Sequence, residues 1–134
     1  MIMNAYPYAA SITLLVLLLL FATAAMVGRA RVRYGVKAPA SSGHELFERA
    51  FRIQMNTLEN AVQMLPALWL CAIYGGDRWA GLIGLVWLLA RVWYAAAYQK
   101  DPARRGPAFG LSFLAFAALW LGAACGVARV LLRW

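Results

Sequence analysis

Apolar residues run almost without a break from Ile12 to Val27, with only Thr13 and Thr23 as polar members. Extended upstream to Tyr6, this run predicts a first membrane-spanning helix over about 6–29. Pro7 suits its first turn, and Ser11, Thr13 and Thr23 can bond back to the helix backbone. The small residues of FATAAMVG resemble a cleavage site, but no basic stretch precedes the apolar run, so the helix is expected to be retained. RARVRYGVKAPASSGHE, rich in Pro, Gly and Ser, then reads as the one long loop.

A second helix is expected over about 46–74, kinked at Pro66 and ended by the tight turn YGGDR. A third spans about 79–99 and stops at QKDPARRGP. A fourth, 107–132, carries Phe109, Phe113, Phe116 and Trp120 along one face and the close-packing pair Gly122 and Gly126. Trp79, Trp87 and Trp134 read as packing or interface anchors. The pattern is that of an all-α integral membrane protein, a four-transmembrane-helix bundle forming a single domain over residues 1–134.

One feature breaks the apolar rule. In the second helix Arg49, Arg52, Asn56, Glu59 and Gln63 recur at spacings of three, four, three and four, which puts them on one face. They descend about 21 Å along the helix at 1.5 Å per residue, and the lower members reach well into the hydrocarbon layer. An unpaired charge there costs roughly 2.5–3.5 kcal/mol on insertion scales, so this face needs a polar neighbour. Glu48 and Arg52 are spaced to pair near the surface. Trp87, Arg91, Tyr94 and Tyr98 form a matching column on the third helix, with Arg104 and Arg105 just beyond its end.

Composition and charge narrow the picture. The chain has 134 residues, is 64% hydrophobic and carries a formal charge of +8. Its mean hydropathy is +0.66. The basic residues flank apolar runs, which points to membrane topology and an anionic ligand and away from nucleic acid. Nine of the thirteen Lys and Arg adjoin the loops after the first and third helices. The positive-inside rule therefore places those loops in the cytoplasm and both termini outside, in the cell inner membrane. Cys71 and Cys125 lie in apolar stretches without metal-ligand spacing, and His44 is the only histidine, so no metal site is expected.

A pocket with excess positive charge, one deep carboxylate, amides and phenols suits a small zwitterion or polyanion, with an apolar co-substrate entering from lipid. The alternatives are a structural charge network that fixes helix register and a transporter seam, though no repeats or broken helices favour the latter. No Ser-His-Asp or Cys-His set is present, whereas an arginine can stabilise a developing anion without exchanging a proton.

FERAFRIQMNTLEN at 47–60, LLARVWYAAAY at 88–98 and Arg105 together resemble the MAPEG family, membrane-associated proteins in eicosanoid and glutathione metabolism. The similarity is to the branch holding leukotriene C4 synthase, the type 2 microsomal glutathione transferase and the five-lipoxygenase activating protein. The resemblance implies a homotrimer that binds glutathione between subunits as a thiol co-substrate. Arg52, Asn56 and Glu59 would hold the ends of the peptide, with Gln54, Tyr94 and Tyr98 completing the pocket. Arg31 would approach a carboxylate from its own or the adjoining chain, and Arg91 would contact the ligand or organise the ring around it. Arg105 falls where the thiol-activating arginine lies in leukotriene C4 synthase. Asn60 stands where that enzyme has a tyrosine, and Tyr94 occupies the column that carries histidine in prostaglandin E synthase-like members. The implied activity is conjugation of glutathione to lipophilic electrophiles, with lipid hydroperoxide reduction as an allied reaction. The rival is a non-catalytic lipid-binding or partner-presenting scaffold.

Overall fold

A computed structural model describes residues 5–133 and contains four long α-helices: α1 (Pro7–Tyr34), α2 (Glu45–Gly75), α3 (Asp77–Lys100) and α4 (Gly106–Leu131). A single 3-10 turn, Pro102–Arg105, separates the last two. Trp134 lies outside the described residues. α1 continues through Tyr34, past the break expected at Arg29, because ARVRY contains no helix breaker. It stops at Gly35, whose φ of 66° turns the following Val36 N–H back onto the Arg31 carbonyl at 3.1 Å. The connection to α2 is correspondingly shorter than the composition suggested, and His44 caps α2 by accepting from the Leu46 N–H at 3.1 Å. α2 is continuous through Pro66.

Three side-chain and backbone contacts establish the up-down-up-down course. Asp77, at the start of α3, accepts from the backbone N–H groups of Tyr8 and Ala9, both at 2.9 Å. The N-terminal ends of α1 and α3 therefore lie together. Arg49, near the start of α2, donates to the carbonyls of Gln99 and Lys100 at the end of α3. The C-terminal ends of α2 and α4 meet where Gly126 packs on Tyr74. As a result the nine basic residues counted above gather at one end of the bundle, with Arg78, Arg129 and Arg133 at the other.

α2 and α3 each pack against all three other helices, so they form the spine of the molecule. The main core contains Val16, Met64, Leu68, Trp87 and Leu119, at least one residue from each helix. Trp87 is a core residue at 1% exposure, whereas Trp79 is 69% exposed at the start of α3. Outward-facing Leu14, Leu18, Phe21, Leu89, Leu114 and Leu121 leave an apolar exterior that only lipid or another protein chain can cover favourably. α1, α3 and the segment Pro102–Leu131 are long and apolar enough to cross a membrane. α2 is the exception to the four expected spans, because Glu59, Asn60 and Gln63 interrupt its apolar stretch.

The α2–α4 contact depends on a missing side chain. A Cβ at Gly126 would lie 2.5 Å from the Tyr74 carbonyl oxygen, and backbone cannot yield as a flexible side chain can. Gly126→Val is expected to lower stability by about 1–3 kcal/mol, read as an earlier thermal unfolding transition in detergent. Gly110→Ala, which fills open space on the same helix, serves as the control and should not reduce the transition temperature.

Candidate active site

At the basic end of the bundle α2, α3 and α4 enclose a cleft of about 430 Å³ lined by Arg52, Asn56, Tyr94, Tyr98, Arg105 and Phe109. The helices place these residues by simple periodicity. Arg52 and Asn56 are one turn apart on α2, as are Tyr94 and Tyr98 on α3. The two tyrosine rings lie 5.7 Å apart by centroid, and Tyr94 contacts Phe109 of α4 at 6.4 Å. Arg105, on the 3-10 turn, sits with its guanidinium carbon 5.6 Å from the centre of the Tyr98 ring. It also reaches the Pro102 carbonyl at 3.4 Å.

Behind this lining is Arg91, which has no exposed surface. It donates to Asn56 Oδ1 at 2.7 Å and to Thr57 Oγ1 at 3.0 Å. Its guanidinium also lies 4.1 Å from the centre of the Tyr94 ring. Arg91 thus supports the cleft and is not among its lining residues. Two cations line the cleft, a third stands behind it, and no carboxylate lines it. This arrangement selects an anion, with phenols and an amide as hydrogen-bonding groups.

The stripe predicted on α2 divides into parts with separate fates. Arg49 is committed to structure, donating to Gln99 O and Lys100 O and pairing with Glu45 at 2.6 Å. The expected Glu48–Arg52 pair is not formed among the described residues; the i,i+4 pair lies three residues earlier, at Glu45 and Arg49. Arg52 and Asn56 enter the cleft, whereas Glu59 and Gln63 are exposed on the outer surface of the chain. Glu59 is about 21 Å along α2 from its start, far from either helix end.

Gln54 does not line the cleft within the chain either. Arg31, in the last turn of α1, donates to Ala40 O at 2.7 Å and packs over Phe47 at 4.8 Å. Thr57, Asn60 and Phe109 complete the surroundings of the site. Thr57 was hidden by its neutral chemistry beside the more conspicuous Asn56, Glu59 and Asn60; Asn60 was visible, but as a departure from a family pattern and not as a hydrogen-bond donor to Asn56. Phe109 was legible as part of the aromatic face of the fourth helix.

The fold and cleft define a class: a membrane-embedded helical bundle with a cationic, phenol-lined site at one end. The chain matches the MAPEG family over residues 8–125 and belongs to it. It is 45% identical over 114 residues to an uncharacterised protein of Synechocystis, covering 85% of this chain and 83% of that one. Human microsomal glutathione S-transferase 2 is 36% identical over 106 residues, with 79% and 72% covered. Bovine leukotriene C4 synthase is 35% identical over 112 residues, with 84% and 73% covered. These last two identities are too close to assign the chain to one branch.

Arg49 provides a check on the division of the stripe. Arg49→Met is expected to cost about 1–3 kcal/mol of stability through the loss of charge-assisted bonds to the end of α3. Thermal unfolding should show the loss, and Glu45→Gln should reproduce only a small part of it because Glu45 is exposed.

Proposed function

We propose that this protein is a membrane glutathione transferase that conjugates glutathione to lipophilic electrophiles. The observation that carries this reading is the convergence of Arg52, Asn56, Tyr94, Tyr98 and Arg105 on one cleft at the basic end. Family membership and the similarity to microsomal glutathione S-transferase 2 support the choice of glutathione as the anion. Arg52 and Asn56 hold the peptide, Tyr94 and Tyr98 complete its seat, and the Arg91 charge behind Tyr94 adds to the field that favours it.

Arg105 acts on the sulfur. A permanently protonated guanidinium cannot serve as a base near neutral pH, but it lowers the free energy of a nearby thiolate. The thiol proton passes to solvent, and the sulfur lone pair forms a bond to the electrophilic carbon. Either a leaving group departs or, for an epoxide or conjugated acceptor, the displaced electron pair is protonated. The electrophile approaches through the apolar surface between helices, while glutathione arrives from the cytoplasmic side. Lipid hydroperoxides are an allied class, because the same thiolate can attack peroxide oxygen.

The working unit is a homotrimer. Support comes from Glu59 and Gln63, polar groups exposed on a membrane helix, which a neighbouring chain would cover. Glu59 then meets the ligand ammonium across the interface, and Arg31 and Gln54 reach the site from the adjoining chain. Both termini lie outside, following the charge asymmetry between the two ends of the bundle.

The test is the ultraviolet thiolate absorbance that develops when glutathione is added to purified protein, followed by conjugation to a general electrophile. Arg105→Ala should abolish most of the thiolate signal and reduce turnover by about tenfold to a thousandfold, the range for loss of one anion-stabilising group. Neither signal nor turnover in the unmodified protein would refute the transferase reading.

A further inference from the structure

The amide of Asn56 cannot turn either edge toward the cleft at will. Arg91 approaches it at 2.7 Å, and a guanidinium has five N–H donors and no acceptor. The amide atom facing Arg91 is therefore the oxygen. Asn60, one turn further along α2, directs its own Nδ2 toward the same oxygen at 3.4 Å and toward the Asn56 main-chain carbonyl at 2.8 Å. Two donors thus converge on one side of the amide. Its Nδ2 makes no hydrogen bond among the described residues, yet it is not one of the buried unsatisfied atoms, and Asn56 lines the cleft.

Arg91 itself has little freedom to release this grip. It is wholly buried, Tyr94 covers one side at 4.1 Å, and Thr57, at 1% exposure, takes a second bond from the same nitrogen. Nε and Nη1 are buried without partners, so the guanidinium has no other polar group to exchange for Asn56. Breaking the contact would leave a cation unsolvated in an apolar surrounding, a far greater loss than an exposed hydrogen bond would represent.

We propose that Arg91 is a positioning residue that fixes Asn56 as an obligate donor toward the cleft. The ligand group seated against Asn56 is then a hydrogen-bond acceptor, a carboxylate or a peptide carbonyl, and never an ammonium or amide N–H. Thr57 anchors Arg91 from below, and Asn60 reinforces the choice of edge. The identity of the ligand as glutathione rests on the reading above; the locked orientation of the amide does not.

The experiment uses full-length detergent-solubilised protein with glutathione as the probe, and the variants Asn56→Asp, Arg91→Gln and Arg91→Lys. In N56D a carboxylate keeps the acceptor contacts to Arg91 and Asn60, so the thermal transition should be as high as in the unmodified protein or higher. The cleft-facing edge, however, changes from donor to anionic acceptor, and glutathione affinity measured by calorimetry should fall about tenfold or more. Unchanged or tighter binding by N56D would overturn the proposal, since it would mean that Asn56 presents oxygen to the ligand.

Arg91→Gln supplies both donor and acceptor and frees the amide to turn. Its KM for glutathione should rise while kcat at saturation stays near the unmodified value, and Arg91→Lys should recover part of the KM change. A fall in kcat with KM unchanged would argue for a different role. Should the unmodified protein fail to bind glutathione, the transferase reading fails, but the lock is still decided by thermal unfolding of N56D, R91Q and the double variant. Non-additive effects are expected from the direct contact, and additive ones would dismiss it.

Discussion

A charge in a hydrocarbon layer must be given a polar partner, and in this protein that requirement is met chiefly by one contact, Arg91 of α3 against Asn56 and Thr57 of α2. The two helices involved are the two that touch every other helix, so the contact sits at the mechanical centre of the bundle. It serves two ends at once. It satisfies part of a wholly buried guanidinium, and it ties together the helices whose next residues toward the basic end, Arg52 and Tyr94, form opposite walls of the cleft. Packing on the other side of the molecule is of a different kind: aliphatic residues, Trp87 and closely approaching glycine backbone.

Fixing the bundle this way separates recognition from support among residues that look alike in sequence. Arg49, Arg52, Arg91 and Arg105 are all arginines at the same end or just below it. One caps α3 carbonyls, one lines the cleft from α2, one holds the amide from behind, and one approaches over a tyrosine ring. Their roles follow from which groups surround each of them. For Arg49 these are backbone carbonyls that would otherwise be left open at a helix end. For Arg52 and Arg105 they are mainly the aromatic lining and open space of the cleft, with one long bond from Arg105 to the Pro102 carbonyl, which leaves most of their donors available.

Much of this was legible from the amino-acid order. The apolar runs located α1, α3 and α4, the small pair Gly122 and Gly126 marked a close helix approach, and Arg52 and Asn56 of the α2 stripe share the cleft with Tyr94 and Tyr98 of α3, whereas Glu59 and Gln63 do not. What could not be read was the end of α1, because an arginine-rich segment reads equally as loop or helix until the cap at Gly35 decides. The partner of Arg49 was hidden for a related reason. Side-chain pairs three residues apart in register, Glu45–Arg49 and Glu48–Arg52, are equivalent by spacing, and only the position of the α3 terminus selects between them. Nor could spacing separate Asn56, which turns inward to Arg91, from Glu59, which stays outside the chain's own cleft.

The link between α2 and α3 is one residue, Gly76, with φ 123° and ψ 131°. Considered separately, α2 is a poor candidate for entering a bilayer because it brings Asn56, Glu59, Asn60 and Gln63, and α3 brings an arginine. A connection this short does not let the two segments be partitioned independently. Their insertion free energy belongs to the hairpin, in which Arg91 and Asn56 already face one another, so a hydropathy value computed for α2 alone understates its tendency to cross. The same hydrogen bond that shapes the mature cleft is thus available at biogenesis, where it lowers the cost of bringing polar chemistry into lipid.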